Sequence, residues 1–355
     1  MSTVPKTTQG KDIPAPIRRN TVFMGRQDFF SVLLRLIGVE LYKIRRRVMS
    51  KVLSTIAIFI LLLAFAFVAA FSLLILATPA STFLPPPCSS TLTPNLPSCL
   101  DHAPTQVDLA RAQTTKQDTV QGTSSPLRLP DSPIFTVQIV NIVGLVLIVI
   151  LAGTIVGGEY GVGTIRLIFT RGPTRVQFLL SKIGAILACC TLTVVVLTVI
   201  GIVVGTLLNF ITGISVDFGF LTGAWVLHAL LYLLSATLGL FVYAMIALFL
   251  STLGRASAAG VAGALVWWVL EGIVGQILSA ISFFNKGPFG DFLRAIPDYF
   301  IGNNTGALLQ NQSQYLSNGQ PAALSDLHAL LVIAGYLLLL IGLSWWISNR
   351  RDITN

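Results

Sequence analysis

The chain has 355 residues, of which 54% are hydrophobic and only 10% are charged, and its mean hydropathy is +0.80. Soluble proteins carry about 25% charged residues, so the composition excludes a water-soluble protein of this size. The net charge of +9 would suit nucleic-acid binding only if it were gathered on a folded polar surface. In a chain this apolar, the positive charge is expected to report orientation in a membrane, and we expect no nucleic-acid partner.

Six apolar runs are long enough to cross a hydrocarbon core of about 30 Å, which takes about 20 helical residues. Because backbone polar groups in lipid must be bonded within each segment, these runs predict an all-α polytopic membrane protein whose transmembrane domain covers 52–347. Only the fifth run contains a charged residue, Glu271. The predicted spans are 52–77, 134–156, 183–208, 224–250, 258–281 and 327–347.

Lysine and arginine are distributed unevenly between the two sides of these spans. The side that includes both termini carries 18 of them and the other side carries five. With five acidic residues on the first side and eight on the other, the two sides are net +13 and −3. Cytoplasmic segments are the ones enriched in Lys and Arg. Both termini, including the short tail 348–355, are therefore predicted to be cytoplasmic, and the location to be the cell (plasma) membrane.

The chain before the first span divides into two parts. Residues 1–22 are rich in Pro, Thr, Lys and Arg and are predicted to be a disordered cytoplasmic tail. Residues 23–51 predict an interfacial amphipathic helix, since apolar residues recur on one side between 29 and 47. Anionic membrane lipids are the expected partner of its basic end, although these residues could equally serve only to set the orientation. That basic end comprises Arg45, Arg46, Arg47 and Lys51.

Two long segments are predicted on the outer side. Residues 78–133 are polar and Pro-rich, which predicts an extended or partly disordered loop. Cys88 and Cys99 lie in this loop, on the oxidising side, and are expected to form a disulfide. Residues 282–326 are semi-apolar and interrupted by prolines, which predicts short helices at the outer interface or dipping into it.

The sequence shows no motif for catalysis. The P-loop pattern G-x-x-x-x-G-K-[ST] does not occur. The three histidines, His102, His228 and His328, are too far apart in the sequence to suggest a zinc site or a histidine-activated nucleophile. We therefore expect that this chain is not an enzyme and holds no metal or cofactor of its own.

The loop between the second and third spans is the most informative stretch. Glu159 suits the N-terminus of a helix and Arg171 suits a C-terminus, because of the helix dipole. Gly172 and Pro173 then end that helix and begin the next one. A short helix over about 159–171 is therefore predicted. An ordinary positively charged inner loop would explain the arginines but neither the Glu-Tyr start nor the Gly-Pro break.

This loop resembles that of the permease subunits of ATP-binding-cassette transporters, type-2 exporter family. The matching elements are Glu159-Tyr160, Gly163-Thr164, Arg166, the turn 170–173 with Arg175, Lys182, and residues 40–43 before the first span. The resemblance implies that the short helix is a cytoplasmic coupling helix. It would sit in a groove of a separate ATPase subunit, which binds ATP and Mg, and a second permease copy would complete a homodimer or heterodimer. The implied coupling residues are Glu159, Tyr160, Gly163, Thr164, Arg166, Arg171 and Arg175.

Glu271 leaves a second function open. A carboxylate at this depth costs about 3 kcal/mol or more on insertion scales, so it is expected to face the bundle interior, a water-filled cavity or a partner. It is either a group on a substrate or ion pathway or an interhelical hydrogen-bonding group. We expect the permease subunit of an ATP-driven exporter, and the alternative is a secondary transporter driven by an ion gradient through Glu271.

Two pairs of glycines are spaced for close helix packing. Gly153 and Gly157 form one pair, and Gly201 and Gly205 form the other. Small residues four positions apart let two helices approach closely. Both pairs are expected to serve packing within the chain in preference to a dimer seam.

Overall fold

A computed structural model describes residues 29–86, 99–100, 103–161, 174–212, 219–285, 287–317 and 319–350, with the backbone alone at Tyr160 and Gly161. All the regular elements in these ranges are helices. The predicted tail 1–22 and most of the tail 348–355 lie outside the described residues. The helices are α1 (Phe29–Arg46), α2 (Val48–Ala77), α3 (Gln106–Ser124), α4 (Ser132–Ile139), α5 (Leu145–Gly161), α6 (Arg175–Thr212), α7 (Gly223–Gly254), α8 (Ser257–Phe284), α9 (Pro288–Ala295), α10 (Ile301–Ser317) and α11 (Asp326–Arg350).

Six of these helical segments are long and apolar enough to cross a membrane, as predicted. They are α2, the α4–α5 pair, α6, α7, α8 and α11. A π-helical turn at Val140–Gly144 joins α4 to α5, so the two form one span. Each predicted run lies within one of these segments, and the helices extend past the runs because helical hydrogen bonding continues into the polar flanks.

The helix α7 lies at the centre of the bundle, where it packs against α5, α6, α8, α10 and α11. The peripheral spans α2, α8 and α11 instead expose large apolar side chains such as Phe67, Leu270 and Leu338. In water such a surface would be an aggregation hazard, but it suits contact with lipid chains. The burial pattern therefore agrees with a polytopic membrane protein.

Both glycine pairs lie at helix contacts within the chain, as expected. A Cβ on Gly157 would overlap the backbone of Ser257 at the start of α8, and a Cβ on Gly201 would overlap the side chain of Thr136 in α4. Gly153 and Gly205 also face close neighbours, since a Cβ there would lie 2.7 Å from Val261 Cγ2 and 3.1 Å from the Phe65 ring. The absence of side chains at these positions therefore sets the spacing of α5 from α8 and of α6 from α4.

The first outer loop contains a helix, α3, so the prediction of an extended or disordered segment is wrong for 106–124. A capping box starts the helix, with the Thr105 N–H donating to Asp108 at 2.9 Å and the Asp108 N–H donating to Thr105 Oγ1 at 3.3 Å. Lys116 of α3 donates from Nζ to the carbonyls of Leu76 at 2.9 Å and Thr78 at 2.7 Å. These carbonyls at the end of α2 would otherwise lack helical partners, so the two helices stabilise each other.

Cys99 takes part in a disulfide. Its predicted partner, Cys88, lies outside the described residues, so the pairing stays a prediction.

The second outer segment forms short helices, as predicted. The helices α9 and α10 are separated by a 3-10 turn at Pro297–Tyr299. The longer one, α10, packs against α7 and α11 and buries Asn304, Leu308 and Asn311. The helix α10 is therefore part of the bundle, whereas Phe289 and Phe292 of α9 are exposed.

Candidate functional site

The candidate site lies where α1 meets the end of α5 and the start of α6. The helix α1 packs along α6, and Gly184 allows this contact because a Cβ there would lie 2.7 Å from Ile37 Cδ1. The face of α1 that turns toward the bundle buries Glu40 and Ile44. An acidic side chain is therefore carried into the protein interior by an otherwise apolar helix face.

Four charged side chains meet at this point, and we call them the ionic cluster: Glu40, Lys43, Glu159 and Lys182. Lys182 Nζ lies 2.8 Å from Glu159 Oε2 and 3.7 Å from Glu40 Oε2. Lys43 Nζ lies 2.9 Å from Glu40 Oε1 and 3.6 Å from Glu159 Oε1. Each lysine thus contacts both carboxylates, and the cluster is neutral as a whole.

The ionic cluster is largely withdrawn from solvent. Lys182 is 1% exposed, and Glu40 and Glu159 are each 7% exposed. Lys182 Nζ also donates to the Ile155 carbonyl at 3.4 Å and lies 4.7 Å from the centre of the Phe178 ring. A buried charge without a partner costs several kcal/mol, so the loss of either buried partner of the Glu159–Lys182 pair should weaken the contact between α5 and α6.

Lys43 is the most exposed member of the cluster. Burial alone would lower the pKa of Lys43, but the hydrogen bond and charge of Glu40, together with Glu159, raise it above the ordinary 10.5. The stabilisation from Lys43 is therefore fully present below pH 10.5 and is lost only as the pH rises through the raised pKa. Lys43 stays charged near neutral pH and does not make the cluster a pH switch there.

The position of Glu159 corrects the sequence prediction. Glu159 was expected at the N-terminus of a short helix, but it lies near the C-terminus of α5, where the helix dipole disfavours a carboxylate. Lys43 and Lys182 reverse that preference by approaching from two other helices. The helix-end rule failed because it considers only neighbours in the sequence.

Only some of the other predicted coupling residues are among those that the structure describes. The backbone of Tyr160 belongs to the last turn of α5, whereas Gly163, Thr164, Arg166 and Arg171 lie outside the described residues. The predicted coupling helix therefore stays a prediction over most of its length.

Arg175, the first residue of α6, joins the third span to the last one. Its Nη1 donates to the carbonyl of Ser348 at 2.8 Å and to that of Asn349 at 3.2 Å. Both carbonyls belong to the final turn of α11, which needs such partners. A cation also suits this end of the helix dipole, so Arg175 links two spans on the same side of the bundle as the ionic cluster.

Glu271 of α8 binds two neighbouring helices. The Tyr243 hydroxyl of α7 donates to Glu271 Oε2 at 3.0 Å, and the Gly302 N–H of α10 donates to Glu271 Oε1 at 2.8 Å. Gly302 lies in the first turn of α10, where the helix dipole favours a carboxylate. These contacts match the interhelical alternative, while a role in an ion or substrate pathway stays a prediction.

We expect Glu271→Gln to change stability little, because glutamine keeps an acceptor oxygen for one of the two donors. Glu271→Leu should lower the free energy of unfolding by about 1–3 kcal/mol, since it leaves the hydroxyl donor of the buried Tyr243 without its acceptor. Thermal unfolding in a fixed detergent measures both variants, with Gln276→Leu, an exposed position on the same helix, as the matched control. A Glu271→Leu protein as stable as this control would refute the interhelical role.

A polar network near the start of α7 was not predicted. His228 Nδ1 lies 2.9 Å from Gln312 Oε1, and Gln312 Nε2 donates to Asp326 Oδ2 at 3.0 Å. Asn311 Nδ2 donates to Asp326 Oδ1 at 2.8 Å. The residues come from α7, α10 and α11 and are far apart in the sequence, so no local motif signals them. Within the described ranges no group of three or more His, Cys, Asp or Glu is placed to hold a metal ion.

A family described as "Protein of unknown function (DUF2705)" matches residues 133–354. The match runs from the second span past the end of the last one and includes Glu159, Lys182 and Glu271. It leaves out α1, which carries Glu40 and Lys43, and α2. No curated protein matches the chain significantly.

Proposed function

The chain belongs to the DUF2705 family, whose description assigns no activity, and we propose that it is the membrane-spanning permease subunit of an ATP-driven exporter. In this proposal a separate ATPase subunit binds ATP and Mg²⁺ and docks on the inner side. A second permease copy, identical or homologous, completes the transport pathway. This chain uses the movement of the ATPase subunit to carry substrate across the membrane, and it does not hydrolyse ATP itself.

The observation that carries the proposal is the ionic cluster. It joins α1 to α5 and α6, the two helices on either side of residues 162–173, which include most of the predicted coupling helix 159–171. Separating α5 from α6 would break the 2.8 Å pair of Glu159 with Lys182, a buried pair whose loss costs several kcal/mol. Moving α1 away would break the longer contacts of Lys43 with Glu159 at 3.6 Å and of Glu40 with Lys182 at 3.7 Å. A force applied to the segment between α5 and α6 is therefore transmitted to α1 as well. That arrangement supports force transmission from a docked subunit into the second and third spans.

The location and orientation are part of the same proposal. The chain spans the cell membrane with both termini in the cytoplasm, and α1 lies at the inner interface. The excess of lysine and arginine on the side of the termini supports this orientation. In that arrangement the ionic cluster faces the compartment in which ATP is found.

The secondary-transporter alternative gains no support from the surroundings of Glu271. Its two oxygens accept hydrogen bonds from Tyr243 and from the Gly302 backbone. A coupling carboxylate has to exchange protons or ions with a pathway, and these contacts instead hold three helices together. The ATP-driven exporter is therefore the better-supported function.

Charge reversal at Arg166 tests the proposed coupling role. Glu159 is a poor test residue because Glu159→Arg would place a third cation beside Lys43 and Lys182 and disturb folding. We expect Arg166→Glu to weaken stimulation of the partner ATPase about tenfold or more, since reversing an interfacial charge costs at least about 1.4 kcal/mol. ATPase rate and ATP-driven transport are measured on the reconstituted complex.

Arg111→Glu, at an exposed position of α3 on the predicted outer side, is the matched control and should leave both rates unchanged. If the Arg166→Glu complex keeps its normal ATPase stimulation and ATP-driven transport, this loop does not have the proposed coupling role.

A further inference from the structure

A cleft of about 170 Å³ opens between α2, α5 and α6. Its walls are mainly apolar, and Leu192 and Val196 at its edge are exposed on the surface of the bundle. The cleft therefore opens sideways, toward the position that lipid chains occupy around a membrane protein. The lining includes Leu53, Ala57, Ile58, Leu147, Leu151 and Val196.

Arg47 stands at one end of this cleft. It links α1 to α2, and its Nη1 donates to the Thr154 carbonyl of α5 at 3.4 Å. The lining residue Ser50 comes one helical turn after Arg47, and the lining residue Leu151 comes one turn before Thr154. The guanidinium group therefore lies beyond the apolar walls, at the end nearest α1.

The charge around this end of the cleft is positive. Lys51 is exposed one turn after Arg47. The nearby carboxylates of Glu40 and Glu159 are already paired with Lys43 and Lys182 in the ionic cluster. Among the described residues no carboxylate pairs with Arg47, and its guanidinium has donors beyond the one that reaches Thr154. A guanidinium of this kind matches the planar, bidentate geometry of phosphate oxygens.

We propose that this cleft is a binding site for an anionic phospholipid of the leaflet in which α1 lies. Part of one acyl chain occupies the apolar walls, and the phosphate contacts Arg47 and Lys51. Any lateral groove fills with some lipid in a bilayer, but a cation fixed at only one end selects for headgroup charge. With the orientation proposed above, the site belongs to the inner leaflet. The site does not depend on the transport function and would stand if that function failed.

The test uses the purified full chain in nanodiscs of phosphatidylglycerol and phosphatidylcholine, with a photoactivatable group on the acyl chain of one lipid at a time. Labelled peptides are then mapped by mass spectrometry. We expect phosphatidylglycerol to label 48–58 and 145–151 more strongly than phosphatidylcholine does. Arg47→Gln should reduce the phosphatidylglycerol label about fivefold, since one basic residue near an anionic surface contributes about 1 kcal/mol.

Further variants distinguish lipid binding in the cleft from a general attraction of anionic lipids to basic residues. Arg47→Lys should retain most of the label, and Lys51→Gln, an exposed change that spares the Thr154 contact, should reduce it. Arg45→Gln, at an exposed arginine of α1 outside the cleft, should leave it unchanged. Ala57→Trp should fill the cleft and remove the label from both lipids. The proposal would be overturned if the two lipids label the protein equally and Arg47→Gln does not change that labelling. It would also be overturned if Arg45→Gln reduces the label as much as Arg47→Gln does.

Discussion

Replacing Lys182 with methionine should lower the free energy of unfolding by about 3–5 kcal/mol, the cost of removing one partner from a buried ion pair. Methionine fills a similar volume, so the loss is electrostatic and not a packing defect. It leaves the buried carboxylate of Glu159 without its nearest cation, Lys182 at 2.8 Å, and removes the 3.7 Å contact from Glu40. We expect the melting temperature in a fixed detergent to fall by roughly 6 °C or more.

Two further variants identify the cause of this loss. Adding Glu159→Gln to Lys182→Met should recover much of the stability, because the cluster then contains one carboxylate and one ammonium group. Lys51→Met removes the same charge at an exposed position and should change the melting temperature little. If Lys182→Met is as stable as Lys51→Met, the cluster does not hold α1, α5 and α6 together.

The second large effect is expected at Gly157, where α5 crosses the start of α8. An alanine Cβ there would overlap the Cα and N of Ser257 and the carbonyl carbon of Ala256. Backbone atoms cannot move aside as a flexible side chain can, so the helices must separate. Overpacking of this kind costs about 1–3 kcal/mol, and we expect Gly157→Ala to fall at the upper end of that range.

The neighbouring glycine is a matched control. Gly158 lies on the same helix, and a Cβ there meets nothing within 4 Å. Gly158→Ala should therefore stabilise the protein by up to about 1 kcal/mol through helix propensity alone. Thermal unfolding of the two variants side by side tests the prediction. Equal stability of Gly157→Ala and Gly158→Ala would show that α5 and α8 are not in close contact.

The spanning helices could be predicted from the sequence because their signal is local and strong. About 20 apolar residues in a row have few alternatives to a membrane helix, and each predicted run lies within one observed spanning segment. Helix α3 was missed for the opposite reason. It is polar on all sides, so no apolar periodicity marks it, and its support comes from the Thr105 cap and from the contacts of Lys116 with the end of α2.

The candidate site could be predicted only in part. Glu159 and Lys182 were recognised as notable residues, and Glu40 and Lys43 were seen to belong to a matching segment, but no residue pattern in the sequence pairs the charges of the two segments. Their meeting depends on how α1 packs along α6 beside Gly184. Tertiary contacts of this kind override local helix-end preferences, which explains why Glu159 occupies the unfavourable end of α5.

The polar network near the start of α7 was missed because its members are separated along the chain. His228 lies far from Gln312 and Asp326 in the sequence, and each residue alone is an ordinary polar residue near the end of a span. Buried amide and carboxylate groups need partners, and here the fold supplies them from three helices. Such networks become visible only once the neighbouring helices are placed.

Purification of the tagged full chain from its native membrane tests the central claim most directly. The permease proposal predicts that a soluble subunit with a Walker-type nucleotide site is recovered in stoichiometric amount. It also predicts that the reconstituted complex moves its substrate only when ATP is hydrolysed. A chain recovered without such a subunit, which by itself drives flux under a proton gradient, would contradict the proposal and favour the ion-driven alternative.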